Sequence, residues 1–118
     1  MVEDDRGVRH VIVSLVRRST GLPIDDFESA ADALAAARST HYGIAVLDVG
    51  MAPMDGIELA AELEVLQPGL PIVYLTGGSS EDQRRALEAG AAAVLRKPSG
   101  VRTVGEVVRT HVRREPKG

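Results

Sequence analysis

The stretch Gly43-Ile44-Ala45-Val46-Leu47-Asp48 (GIAVLD) is a continuous apolar run that ends on a carboxylate. A strand with one wet face alternates polar and apolar residues. A run without that alternation is what a parallel strand covered on both faces requires. Parallel strands are joined by crossovers, usually helical, so the sequence on either side should alternate helix and strand. The carboxylate of Asp48 then falls at a strand's C-terminal end, the edge at which open parallel sheets bind ligands.

Working outward from this stretch, the alternation is present. Downstream, the loop VGMAPMDG carries turn residues, and IELAAELEVLQPG sets Leu59, Leu63 and Leu66 at helical spacing before Pro68-Gly69 stops the helix. LPIVYLT, Leu70 to Thr76, repeats the strand pattern and is followed by Gly77-Gly78. Ser80 to Gln83 (SEDQ) fits a capping box for a helix running to Gly90. AAAVLRKP is a further apolar strand ending on Lys97-Pro98, and Val101, Val104, Val108 and Val112 share one face of a last helix. Upstream, Val8, Val11, Ile12, Leu15 and Val16 recur at helical spacing to Ser19-Thr20-Gly21, with Asp4 or Asp5 as candidate cap. LPIDDF, Leu22 to Phe27, has weak strand character, and Glu28 to Ser39 reads as an Ala-rich helix. The expected class is α/β: a doubly wound parallel sheet with right-handed crossovers and helices on both faces. The tail RREPKG, from Arg113, reads as polar and frayed.

Composition agrees with one globular domain over residues 1–118. Hydrophobic residues make up 44% and charged residues 26%, and with aromatics at 3% the core falls to Val, Leu, Ile and Ala. The net charge of -3 argues against a nucleic-acid or anionic-membrane surface. The basic stretch from Arg109 to Arg114 is flanked by Glu106 and Glu115 and has no aromatic stacking platform. There is no cysteine, so zinc ribbons and thiol catalysis are excluded. No apolar run reaches the roughly 18 residues of a membrane span, and the expected location is the cytoplasm.

The strand C-termini carry Glu3 and Asp4, then Asp48, Thr76 and Lys97, which the sheet should gather on one edge. Each alone has an ordinary reading as a helix cap, a strand end or a surface lysine, and His10, His41 and His111 read as surface histidines. Together they differ, because clustered carboxylates require a counter-cation or a proton. A magnesium ion suits two or three carboxylates plus a carbonyl. A carboxylate beside such an ion can attack a phosphoryl group and hold it covalently, with Thr76 and Lys97 binding the phosphoryl oxygens.

VEDD at Val2 to Asp5, VLDVGMAPMDG at Val46 to Gly56, LTGG at Leu75 to Gly78 and GAAAVLRKP at Gly90 to Pro98, in this order and spacing, resemble the receiver domain of two-component response regulators. The resemblance covers nearly the whole chain. It implies a flavodoxin-like, chemotaxis-regulator-like fold with strand order 2-1-3-4-5. It also implies that Asp48 is the phosphoacceptor, and that Glu3, Asp4, Asp48 and the Gly50 backbone carbonyl bind magnesium, with Asp5 a neighbour rather than a ligand. Thr76 matches the switch hydroxyl and Lys97 its lysine partner. Lys97-Pro98 should be cis, and Gly77 should leave room for phosphoryl entry. The implied partners are a sensor histidine kinase or histidine phosphotransfer protein, a downstream protein target, and a second copy through the face of the fourth helix, fifth strand and fifth helix. Without an output domain in the chain, the readout would lie in another protein.

Several positions depart from the family pattern. Pro53 stands one residue later than the usual loop proline, with Ala52 in its place. Val94 occupies a position where the family usually has Tyr or Phe. Gly50 and Gly78 fill positions whose side chains tune dephosphorylation. A phosphorylation-independent protein-binding module is the alternative that Val94 favours. A magnesium phosphatase would carry a second acid where Gly50 stands. Only Met1 and Val2 precede the acids, where the family has a central strand of about five residues. The reading therefore expects a truncated first strand, an unpaired second strand, acids tethered by almost nothing, and a natural start upstream of Met1.

Overall fold

The computed structural model describes residues 1–113, so the expected polar tail lies outside the described residues from Arg114 onward. The elements alternate as the periodicity requires: α1 (Arg6–Thr20), α2 (Ala30–Ala37), β1 (Ala45–Asp48), α3 (Gly56–Leu66), β2 (Ile72–Thr76), α4 (Ser80–Glu88), β3 (Ala93–Arg96), a short 3-10 helix (Ser99–Thr103) and α5 (Val104–His111). β1 pairs in parallel with β2 from Ala45↔Ile72 to Asp48↔Leu75, and β2 with β3 from Val73↔Ala93 to Thr76↔Arg96. Asp48 and Thr76 therefore end neighbouring strands one residue apart in register.

Among the described residues these are the strands, three in number, and the first two of the expected five are reduced to single bridges. Val2 bridges both Phe27 and Leu47 in parallel, so the lateral order is Phe27, Val2, β1, β2, β3, equivalent to 2-1-3-4-5. The expectation of barely tethered acids is corrected. Val2 N–H donates to Val46 O at 2.8 Å, Asp48 N–H to Val2 O at 3.0 Å, Phe27 N–H to Met1 O at 2.9 Å and Glu3 N–H to Phe27 O at 3.1 Å. The Met1 amine adds a bond to Asp25 O at 3.0 Å. Two residues suffice because each backbone group of Met1–Glu3 that faces a neighbour finds a partner. Leu22 to Asp26 form no strand: the Met1 amine meets Asp25 O, but no ladder continues from it among the described residues, and Pro23 has no N–H to offer.

Successive strand residues point to opposite faces and fill two cores. Leu47, Tyr74 and Val2 pack with Ala33, Ala37, Leu59, Leu63 and Ala86 beneath α2, α3 and α4. Val46, Val73, Leu75 and Leu95 pack with Ile12, Val16, Val104 and Val108 beneath α1 and α5. Small residues set the helix spacing. A Cβ on Gly105 of α5 would collide with the Ser19 side chain of α1.

Helix ends follow local chemistry, with some shifts from the expected positions. Asp5 caps α1, its Oδ1 accepting from Val8 N–H at 3.0 Å, and Gly21 closes the helix at φ 66°. The cap of α4 is Ser79 rather than Ser80, accepting from Asp82 N–H at 3.3 Å. In α3, Leu59 and Leu63 are buried but Leu66 is 38% exposed, because the helix ends there. The next residue, Gln67, turns its side chain inward to donate to Ala37 O and Thr40 O at 3.0 and 2.7 Å.

Candidate functional site

The C-terminal sheet edge brings together residues that lie far apart in the chain. Glu3 is fully buried, Asp48 and Thr76 nearly so, and Asp4 is exposed. Lys97 Nζ bridges two of the acids, 2.9 Å from Glu3 Oε1 and 3.3 Å from Asp48 Oδ1. Its backbone is fixed by a 2.8 Å bond from Lys97 N–H to Thr76 O, which closes the β2–β3 ladder. Lys97-Pro98 is cis, and so is Ala52-Pro53 in the loop that carries the displaced proline.

Each carboxylate is aimed by backbone. Gly50 N–H donates to Asp48 Oδ1 at 3.1 Å, so that oxygen holds both the amide and the ammonium. Asp5 N–H lies 3.4 Å from Glu3 Oε2. Asp5, expected to be a neighbour, serves as the cap of α1. Arg9 is a contributor that its spacing does not reveal. Its Nη1 donates to Glu3 O at 2.8 Å while Nε pairs with Asp26 Oδ2 at 3.2 Å, tying the acid strand to α1 and the neighbouring segment.

Glu3, Asp4 and Asp48 each offer an oxygen within 4.8 Å of the others. Burial, reinforced by the adjacent Asp48 carboxylate and opposed by Lys97, pushes the Glu3 carboxyl up to about 7. For Lys97, burial works against the charge, but Glu3 and Asp48 outweigh it and hold the ammonium above the usual lysine value. One ammonium thus serves acids that repel one another. An all-oxygen donor set with surplus negative charge fits a hard divalent cation.

Around this centre, Gly77 is exposed, with open space where a Cβ would be. Gly78 adopts φ 103°, which favours glycine, and an added Cβ would meet Arg96 Nε at 2.8 Å. Val94 is half-buried against the core beneath α4. On the other side, a Cβ on Gly56 would collide with the Asp48 carbonyl, so α3 starts directly against the strand end. The described residues contain no helix long and apolar enough to cross a membrane.

Comparison with known proteins agrees with this geometry. The chain is 36% identical over 118 residues to the transcriptional regulatory protein CreB of Escherichia coli K12, covering 99% of this chain and 51% of that protein. It is 33% identical over 115 residues to the probable transcriptional regulatory protein TcrX of Mycobacterium tuberculosis, covering 97% and 49% respectively. The chain thus spans about half the length of these curated relatives. Among solved structures, a CheY-like response regulator receiver domain protein from Methanospirillum hungatei superposes with a TM-score of 0.81 at 26% identity, covering 92% of this chain and 87% of that one. The model of the response regulator receiver domain matches residues 1–109. With the acids, hydroxyl and lysine gathered on one sheet edge and the match running through nearly the whole chain, the protein belongs to the response regulator receiver domain family.

Proposed function

We propose that this chain is a phosphoacceptor in a two-component phosphorelay, with Asp48 as the accepting carboxylate. The observation that carries this reading is the Lys97 ammonium held between Glu3 and Asp48 in a nearly buried pocket. Lys97 and Gly50 N–H both engage Asp48 Oδ1, which leaves Oδ2 as the nucleophile. In the transfer, Oδ2 attacks phosphorus on a phosphohistidine of a kinase or phosphotransfer protein. The phosphorus–nitrogen bond breaks, imidazole departs, and the phosphoryl group remains on Asp48. Thr76 and Lys97 then bind the phosphoryl oxygens. Magnesium, held by Glu3, Asp4, Asp48 and the Gly50 carbonyl, would neutralise charge on the transferring group. In this reading the chain is a single receiver domain that accepts a phosphoryl group rather than turning over substrate. The added charge of about -2 biases the surface around α4, β3 and α5 toward a downstream protein or a second copy.

The test is incubation with acetyl phosphate and magnesium, read by intact mass. The wild type is expected to gain one phosphoryl group that hydroxylamine removes, whereas Asp48→Asn and a magnesium-free sample gain none. Absence of the adduct on wild type would leave the binding-module reading, which Val94 favours by placing a small aliphatic side chain where the family usually has an aromatic one.

A further inference from the structure

Arg96 has a setting that its sequence position does not announce. It ends β3 in register with Thr76, and its guanidinium lies across Gly78, two residues beyond that hydroxyl. The glycine makes the arrangement possible, since a Cβ there would stand 2.8 Å from Arg96 Nε and 3.0 Å from Nη2. Neighbouring Lys97 is already committed to Glu3 and Asp48. Arg96 is different. Among the described residues its guanidinium has no hydrogen bond and no ion pair. That alone does not set it apart, since Arg6, Arg17, Arg18, Arg38, Arg102 and Arg109 form no such bond among the described residues either; its place against Gly78, in register with Thr76, does.

Resting on the phosphoacceptor reading, we propose that Arg96 is a second cationic residue for the phosphoryl group on Asp48, turning from Gly78 toward it once the new charge is in place. The register makes this reachable. Asp48 is aligned with Leu75, and Leu75 with Leu95, so two strand spacings, about 10 Å, separate the backbones of β1 and β3. Arg96 is paired with Thr76, the hydroxyl that in this reading binds the phosphoryl oxygens, so the arginine leaves the sheet on the same face as that hydroxyl. The chemistry also suits the ligand. Adding a charge of about -2 creates new acceptor oxygens, and a guanidinium offers them paired donors that a single ammonium does not.

The experiment is nitrogen-edited NMR of the full chain with magnesium, before and after beryllofluoride, following Arg96 Nε–Hε and the Gly50 amide, which bonds Asp48 Oδ1. The proposal expects both signals to move in wild type and neither in Asp48→Asn. It also expects Arg96→Gln to shorten the phosphoryl lifetime after acetyl phosphate by roughly two- to fivefold, the range of an exposed ion pair, with Arg96→Lys recovering part of it. The melting temperature of Arg96→Gln should match wild type, since the side chain holds nothing in the unphosphorylated fold. If Gly50 moves while Arg96 does not, Asp48 loads and only the Arg96 role fails. If neither moves, the phosphoacceptor reading fails, and the Arg96 role fails with it.

Discussion

Lys97 neutralises two acids at once, and its removal should expose the difference between them. Glu3 is fully enclosed and burial pushes its carboxyl up to about 7, whereas Asp48 also has the Gly50 amide. In Lys97→Met the pair loses its counter-cation, and Glu3 responds by taking up a proton, which limits the damage. The expected loss is therefore about 1–3 kcal/mol at neutral pH, the scale of a buried group left unsatisfied, rather than that of an uncompensated buried charge. Adding Glu3→Gln to Lys97→Met should restore part of the stability. Urea unfolding of the single and double variants checks this, and a double variant weaker than the single would contradict it. A second residue-scale prediction concerns Gly56, whose missing side chain lets α3 start against the Asp48 carbonyl. Gly56→Ala must push the loop away from Asp48. It should lower stability by about 1–3 kcal/mol, as overpacking does, and slow phosphorylation by acetyl phosphate.

At the scale of elements, Asp55 joins two helices. Its Oδ1 caps α3 by accepting from Ile57 N–H at 2.9 Å and Glu58 N–H at 2.8 Å, while Oδ2 takes Arg85 Nη2 of α4 at 2.9 Å. Burial alone would raise this carboxyl, but the Glu58 amide and the Arg85 guanidinium outweigh it and hold it below its ordinary value of 3.8. A depressed acid stabilises the fold above its unfolded value, and that contribution disappears as the pH falls through the folded value. Asp55→Ala should thus cost about 1–2 kcal/mol at neutral pH and progressively less in acid, measured by denaturation across pH 2–7. A pH-independent loss would mean that the carboxylate charge contributes nothing. The MDG turn before an apolar helix marks the cap in the sequence, but its link to Arg85, thirty residues on, depends on how α3 and α4 pack. The same division runs through the site. Asp48, Thr76 and Lys97 were legible because apolar runs end on them, which periodicity detects. The contacts of Arg9 with Glu3 and of Arg96 with Gly78 were not, since an arginine on an amphipathic helix or at a strand end reads as surface until its neighbours are known. The expected strand from Leu22 to Phe27 is reduced to one bridge at Phe27 for another reason: strand propensity acts only where a partner runs alongside.

Across the whole molecule, the two sheet faces are covered, yet the sheet is incomplete along one line. Between Leu22–Asp25 and Tyr42–Val46, with Met1 at its floor and Val16, Val108 and Val112 along its wall, lies a cavity of about 540 Å³ at the sheet edge opposite the acids. Its backbone lining is directional. Ala45 and Val49 donate toward β2, to Pro71 O and Leu75 O, whereas Asp48 donates the other way, to Val2 O. By that alternation Val46 N–H also faces the Val2 side, one step beyond the last bond that Val2 makes. Parallel ladders space such donors evenly, so an extended segment added in the slot would meet the Val46 N–H as a ladder donor. An engineered extension of four aliphatic residues before Met1 should occupy it. Each aliphatic side chain fully buried there contributes about 1.5–3 kcal/mol, and in a domain of this size each kcal/mol raises the melting temperature by several degrees. The aliphatic extension is therefore expected to melt at least about 5 °C above a Gly-Ser extension of equal length. It should also slow exchange of the Val46 amide, because that donor would gain an acceptor. Equal melting temperatures, or a Val46 amide that exchanges as before, would show that the slot does not accept a strand. On the magnesium-binding reading, the same extension should also lower the magnesium dissociation constant, since Glu3 and Asp4 are positioned through the bonds that Met1 and Val2 make to their neighbours.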